Sequence, residues 1–302
     1  RSATWEGMAG DDGSMTSRLS ALMAELALGG VGLIISSHAY VSREGQAGLK
    51  QLGIYDDTLV PGLKEMTSAV HDNEGKIVAQ LAHAGLHAAV KLSGQPSLAP
   101  SQVEGLSKTP PKAMGEDDIQ GIVEAFAAAA ARARQAGFDG VQIHAAHGYL
   151  LSQFLSPVYN QRADAFGGDI ENRAKVPLMV LKAIRERVGN DFPVLVKLNC
   201  GDFMDRGLTT QDAVNVAVCA DAEHRADNLV FLFANVTAAS TVNGVDRARY
   251  LLADHSGYFS GTDDSGEHQY VISYADLAGL SAISLELHYL SPLPFWLSML
   301  CT

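Results

Sequence analysis

"AGFDGVQIHAAHGYLLSQFLSP", residues 136–157, contains a helix stop, a short apolar run and a polar loop. Gly137 can close a helix in the left-handed conformation that other residues avoid. The run "GVQIHA" (140–145) is too short for a stable helix and is apolar enough to read as a strand buried on both faces. His144 closes that run, His147 follows three residues later and Tyr149 two after that. Two histidines so spaced could hold a metal, grip a substrate oxygen or plug a core. The surrounding chain narrows the choice.

Three further runs read as buried parallel strands: "VGLIISS" (31–37), "KIVAQLAH" (76–83) and "VLVKLN" (194–199). Helical patterns lie between them. "EDDIQGIVEAFAAAAARARQAG" places Ile119, Ile122, Val123, Phe126 and Ala130 on one face, with acids at its start and Gly137 at its end. "ENRAKVPLMVLKAIRERVG" repeats the period through Val176, Met179, Val180, Ala183, Ile184 and Val188; Asp169 is placed to cap it and Pro177 to kink it. Alternating strand and helix imply a parallel sheet, either a closed barrel or an open doubly wound sheet. A dinucleotide-type open sheet should begin with a strand running into GxGxxG, and the chain has no such fingerprint. The expected fold class is therefore α/β, a (β/α)8 TIM barrel, for which the 302 residues suffice since such barrels take roughly 250. The Gly-, Pro- and Ser-rich segment 85–115 leaves the exit end of a strand, where long loops cover active sites or bind ligands.

Composition bounds the partners. A net charge of −12 argues against nucleic acid and anionic membranes, while leaving room for an anionic cofactor held by local donors. The C-terminal "LSAISLELHYLSPLPFWLSMLCT" is interrupted by Glu286, His288, Pro292 and Pro294 and is not expected to span a membrane. Cys200, Cys219 and Cys301 form no CxxC pair and no even framework, and the N-terminal stretch has no apolar run of signal-peptide type; both favour a cytoplasmic setting. The Asn235-Val-Thr sequon is discounted on the same ground, and Arg1 at the start leads us to expect residues upstream. The expected partner is a small-molecule substrate, with a homo-oligomer left open.

In (β/α) barrels the reactive groups gather at the C-terminal ends of the strands. Gln80 and His83 close the 76–83 run, and Lys197 and Asn199 close 194–199. Ser36, Ser37 and His38 end the 31–37 run, while His144, His147 and Tyr149 follow 140–145. An amide, imidazoles, a phenol, hydroxyls and an ammonium without an acidic cluster suit a polar heteroaromatic ring carrying partial negative charge. They do not suit a hard metal ion. A zinc site using His144 and His147 needs a third ligand, which His38, His83 or His87 could supply, so a zinc-dependent barrel hydrolase stays open as an alternative. A serine hydrolase has less support, because no GxSxG elbow is present.

"QLAHAG" (80–85), "AGFDGVQIHAAHGYLLSQFLSP" (136–157) and "NQRADAFGGDIENR" (160–173) together resemble the old yellow enzyme family, NADH:flavin oxidoreductases that bind FMN in a (β/α)8 barrel. "RSAT" (1–4), "GLIISSHAYVSREGQAG" (32–48), "LGIYDD" (52–57) and "VKLNCGDFMDRGLT" (196–209) fit the same pattern, in order, to about residue 217. The resemblance implies FMN as cofactor, NAD(P)H as reductant, and reduction of activated alkenes bearing a carbonyl or nitro group. It implies that Ser2, Ala3 and Thr4 meet the flavin, with Thr4 at its O4. Gln80 would bind the pyrimidine edge, Lys197 would face N1 and O2, and His38 would take a variable flavin-side position. His144 and His147 would bind the substrate oxygen, and Tyr149 would donate a proton or bind substrate. The 160–173 loop would be structural, its glycines turning the chain and its acids capping a helix.

The resemblance fades after "LTTQDAVNVA". "ADNLVFLFANV" can stand as a sixth strand, but the GG and GR pairs that grip the FMN phosphate in the family do not follow at matching places. "YVISYA" (270–275) and "AISLELHYL" (282–290) are separated by six residues, too few for a parallel crossover, and are expected to pair as a hairpin. The expectation is one FMN-binding barrel domain over 1–302, family-like over 1–217 and divergent over 218–302, with the barrel incomplete or altered after the sixth strand. A frameshift or recombination at the end of the gene would produce such a tail; so would a variant with a different phosphate grip. The alternative function is a barrel remnant that no longer binds FMN.

Overall fold

The computed structural model describes residues 1–106 and 109–220 in full, and beyond them the backbone of 221–224 and of the strands named below. The first helix, α1 (Ser17–Leu28), starts at Thr16, whose hydroxyl accepts the Leu19 N–H at 3.3 Å. It leads to β1 (Leu33–Tyr40), α2 (Val60–His71) and β2 (Lys76–Ala82). The loop segment that follows carries the one-turn α3 (Val90–Ser93) and a two-residue ribbon of β3 (Leu98–Ala99) and β4 (Lys112–Ala113). Next come α4 (Glu116–Gln135), β5 (Gly140–Ala145), α5 (Leu150–Leu155), α6 (Ile170–Val188), β6 (Val194–Asn199), α7 (Thr210–His224) and β7 (Leu229–Ala234).

The helix ends are set as the sequence indicates. Three acids open α4 and Asp118 Oδ2 accepts the Gly115 N–H at 2.9 Å; Gly137 then leaves the helix at φ +85°. Asp169 caps α6 by accepting the Asn172 N–H at 2.9 Å, and the helix continues through Pro177 to Val188. All five α4 face residues are buried, and Met179 and Ala183 of α6 pack at the margin of the same core.

The parallel sheet runs β1-β2-β5-β6-β7. On the free side of β1, Arg1 takes a strand-like place: its ammonium donates to Leu33 O at 2.6 Å and its carbonyl accepts the Ile35 N–H at 2.9 Å. Each crossover is helical, giving an arc of a (β/α) barrel. Successive side chains of a strand point to opposite faces. Ile77, Leu81, Val141, Ile143, Val194 and Val196 face the helices and form the main core. Their neighbours Val78 and Leu195 join Ile35 and Ala3 in a small separate cluster on the other face. Above that cluster the inner face turns polar.

The sixth strand expected in 226–236 is β7, paired in register with β6. The hairpin expected between 270–275 and 282–290 falls partly outside the described residues, and among the described strands the pairings are others. Strand β8 (Ser256–Asp263) pairs antiparallel with β9 (Gly266–Ser273), and β10 (Ile283–His288) with β11 (Trp296–Cys301). Two residues separate β8 from β9, so closing that ribbon costs less chain entropy than joining β9 to β10 across nine. Residues 235–255, which follow β7 directly, lie outside the described residues.

Candidate active site

The polar inner face begins at the register line His38↔Gln80↔Gln142 and the line His144↔Lys197 just beyond it. Position 142 stands two residues before 144, so Gln142 and His144 share the inward face of β5. The β1 register is irregular between Ile35 and His38, where Ser36 and Ser37 are accommodated. Ser36 works as a brace there: its hydroxyl donates to Ser37 O at 2.9 Å and accepts the Gln80 N–H at 3.2 Å.

His144 is 4 % exposed. Its Nδ1 accepts the Ala146 N–H at 3.3 Å, so the neutral ring carries its proton on Nε2 and offers it as a donor. Burial, helped by His147, Lys197 and His38, holds its pKa well below the ordinary histidine value. The His147 ring stands at right angles to it with centroids 5.1 Å apart, and the Tyr149 ring lies 4.9 Å from it. Burial and Lys197 bring His147 to a pKa of about 4. His38 reaches about 4 through burial, His147 and Lys197, and its Nε2 lies 3.3 Å from the Tyr149 hydroxyl. Burial raises the Tyr149 phenol. At pH 7 the cluster is therefore three neutral imidazoles and a neutral phenol.

Lys197 is the one cation of this face among the described residues. Burial lowers its pKa, and it has no carboxylate partner among the described residues. The Gln80 amide donates to Gln142 Oε1 at 2.6 Å, and the buried Gln142 Nε2 has no partner. An acid-free basin with an unpaired ammonium and an orphaned amide donor fits an electron-rich ring whose oxygens and nitrogens accept hydrogen bonds. FMN is such a group, and Gln80 and Lys197 would hold its pyrimidine end.

The structure brings His38, Gln80, His144, His147, Tyr149 and Lys197 to one inner face. At the sheet edge Ala3 packs on the inner cluster, while Ser2 and Thr4 are exposed and the Thr4 hydroxyl donates to Ser2 O at 3.2 Å. His83 is elsewhere: its ring is enclosed beneath the Glu44–Gly45 turn, Nδ1 accepting the Gly85 N–H and Nε2 3.9 Å from Glu44. Among the described residues no three His, Cys, Asp or Glu side chains gather as a metal site.

Supporting residues that sequence reasoning left without a role hold the 144–149 loop. Asn199 Oδ1 accepts the His147 N–H at 2.9 Å, and Ser152 Oγ accepts the Gly148 N–H. Gln153 Nε2 donates to Gly148 O at 2.7 Å while its Oε1 accepts the Leu86 N–H. For Ser152 and Gln153 the signal was available in "LLSQFL", where two polar residues are set in an otherwise apolar turn of helix. The 160–173 loop is a brace as expected: Arg162 pairs with Asp164 and donates to Pro100 O and Met114 O, and Arg173 donates to Leu155 O.

A parallel α/β barrel sheet thus carries two neutral imidazoles, a phenol and a lysine on one polar inner face. The chain belongs to the NADH:flavin oxidoreductase / NADH oxidase family, whose model matches residues 2–250. FMN is the cofactor that this membership indicates. It is 44 % identical over 204 residues to a metal reductase of Desulforamulus reducens, covering 67 % of this chain and 30 % of that one. It is 42 % identical over 192 residues to an NADPH dehydrogenase of a Geobacillus species, covering 63 % and 55 %. Among solved structures, the old yellow enzyme homologue of Zymomonas mobilis superimposes with a TM-score of 0.68 at 31 % identity, covering 76 % of this chain and 67 % of that one. The chain thus spans between 30 % and 55 % of the length of these two curated relatives. No helix among the described residues is long and apolar enough to cross a membrane.

Proposed function

We propose that this chain is an FMN-dependent oxidoreductase that takes reducing equivalents from NAD(P)H and reduces alkenes activated by a carbonyl or nitro group. The observation that carries the reading is the His144 tautomer: an Nε2–H donor kept neutral beside His147, on an inner face whose described residues bring no carboxylate to it. FMN, when bound, supplies the hydride that reaches the β-carbon of the substrate. Negative charge then develops on the activating oxygen. His144 Nε2–H and a His147 N–H bind that oxygen, and donors fixed in place before reaction need no reorganisation to stabilise it. Tyr149, neutral and beside His144, would give its proton to the α-carbon. Lys197 would balance the charge of the reduced ring, as its lack of an acidic partner allows. Ser2, Ala3, Thr4 and His38 would line the cofactor.

The test is spectroscopic. The purified protein should retain a flavin absorption band through gel filtration after incubation with FMN. That band should bleach with NADPH or NADH under anaerobic conditions and return on addition of an enone. A protein that takes up no FMN would refute the reading and favour a barrel that has lost its cofactor.

A further inference from the structure

The side chain of Gln142 is not among the residues the family resemblance assigns, yet it occupies the centre of the inner face. It is 1 % exposed, stands directly across from Gln80 in the β2–β5 register, and lies two residues below His144 on the same face of β5. Gln80 Nε2 donates to Gln142 Oε1 at 2.6 Å, linking the two strands through their side chains. Gln142 Nε2 is buried and has no hydrogen-bond partner. A buried amide donor left unpaired costs free energy unless a ligand satisfies it.

We propose that Gln142 is a positioning residue for the cofactor: it fixes which way the Gln80 amide faces and presents its own Nε2–H to the ring. This rests on the FMN reading above. A free glutamine amide can present its oxygen and nitrogen in either order. With one N–H of Gln80 committed to Gln142, Gln80 keeps its Oε1 and one N–H for the ligand, an acceptor beside a donor. The pyrimidine edge of an isoalloxazine offers the complement, the N3–H beside a carbonyl oxygen. Gln142 thereby selects the amide orientation that reads this edge, and its remaining N–H adds a donor from below. The same strand carries His144, so cofactor edge and substrate donor are set by one rigid element.

Gln142→Met keeps length and burial and removes both amide groups. Gln142→Glu keeps an oxygen for Gln80, and desolvation favours the neutral carboxyl, which also keeps a donor. FMN affinity is read by quenching of flavin fluorescence on titration with apoprotein, alongside the visible band position and reduction potential of the bound flavin. Q142M is expected to bind FMN roughly tenfold more weakly, the loss of one hydrogen bond's net worth. Its flavin band and potential should shift, while Q142E recovers affinity to within about threefold. If the unaltered protein binds FMN and Q142M matches it in affinity, band and potential, the proposal is wrong. Equal losses in Q142M and Q142E would also overturn it, because retention of the acceptor would then count for nothing. Failure of the unaltered protein to bind FMN would sink the functional reading itself, a separate outcome.

Discussion

The side-chain oxygen of Asn199 accepts the backbone N–H of His147 at 2.9 Å, tying the loop after β5 to the end of β6. The bond matters because His147 sits at φ +60°, a left-handed conformation that non-glycine residues adopt at a cost of about 1 kcal/mol or more. Asn199 is itself held, its Nδ2 donating to Ser152 Oγ and Asp202 Oδ1 at 3.2 Å each. The position of one of the two proposed substrate donors is therefore set by a residue of the neighbouring strand.

Asn199→Leu should leave the His147 N–H without its acceptor, a loss of about 1–3 kcal/mol. Binding of a phenolic or enone ligand, followed as a perturbation of the flavin spectrum, is expected to weaken about tenfold, with FMN affinity kept within about threefold. A matching fall in FMN affinity would show that the bond supports the cofactor rather than the loop.

His144→Ala removes a buried Nε2–H donor. One donor of this type is worth about 3 kcal/mol to the reaction, so turnover of an enone should fall on the order of a hundredfold while flavin stays bound. Flavin loss in this variant would contradict the division between cofactor-binding and substrate-binding residues.

Much of this site was legible because strand ends were legible. The runs 140–145 and 194–199 match β5 and β6 residue for residue, since few polar positions interrupt them. For β1 the apolar run suggested 31–37, whereas the strand is Leu33–Tyr40. Ser36, Ser37 and His38 broke the hydrophobic signal, and the irregular pairing at Ile35/His38 is what lets polar residues continue the strand. Gln142 was hidden for the opposite reason. In a strand taken to be buried on both faces, one amide reads as noise, and only the inner and outer clusters of the sheet restore its direction. The partners of β9 and β10 were not legible, because periodicity marks a strand without naming its neighbour.

Stability should decline as the pH falls below neutrality. His38, His83 and His147 have pKa values lowered to about 4 and His144 is held well below the ordinary value, with burial the largest cause for each. In the unfolded chain they titrate near 6.5. Between about pH 6.5 and 4 the unfolded state therefore binds protons that the folded state refuses, so the stabilisation is complete above 6.5 and is lost on acidification. Each such histidine contributes a slope of about 1.4 kcal/mol per pH unit within that window. Urea unfolding of the apoprotein at pH 7.5 and 5.0 measures it; equal midpoints would contradict the burial of these rings.

At the opposite end of the sheet, Asp139 joins three partners. It accepts the Ile77 N–H and meets His71 Nε2 at 2.8 Å each, and pairs with Lys76 Nζ at 3.0 Å. Burial pushes its pKa up, but these contacts outweigh that and hold it below the ordinary value. Asp139→Ala should destabilise the fold by about 1–3 kcal/mol, chiefly through the unpaired Ile77 N–H, and leave FMN affinity unchanged. An unchanged unfolding midpoint would mean water replaces the carboxylate without loss.

Lys197 offers the most direct check on the electrostatics of the site. Its charge contributes to the depressed pKa of His38, His144 and His147, in each case after burial. Removing a nearby positive charge makes protonation of a histidine easier, so Lys197→Met should raise the His147 pKa from about 4 toward the ordinary value. The expected rise is partial, because burial remains. The imidazole carbon-bound protons of His147, followed by NMR across pH 3.5–8 in the apoprotein, report it without any need for turnover. The same substitution should weaken binding of reduced FMN more than oxidised FMN, lowering the reduction potential of the bound flavin. A lower potential with an unmoved His147 pKa would place the lysine beside the cofactor but out of electrostatic reach of the substrate donors. A raised pKa with an unmoved potential would place it with the histidines and remove it from the flavin. Only both shifts together support the single basin in which Lys197 faces ring and imidazoles at once.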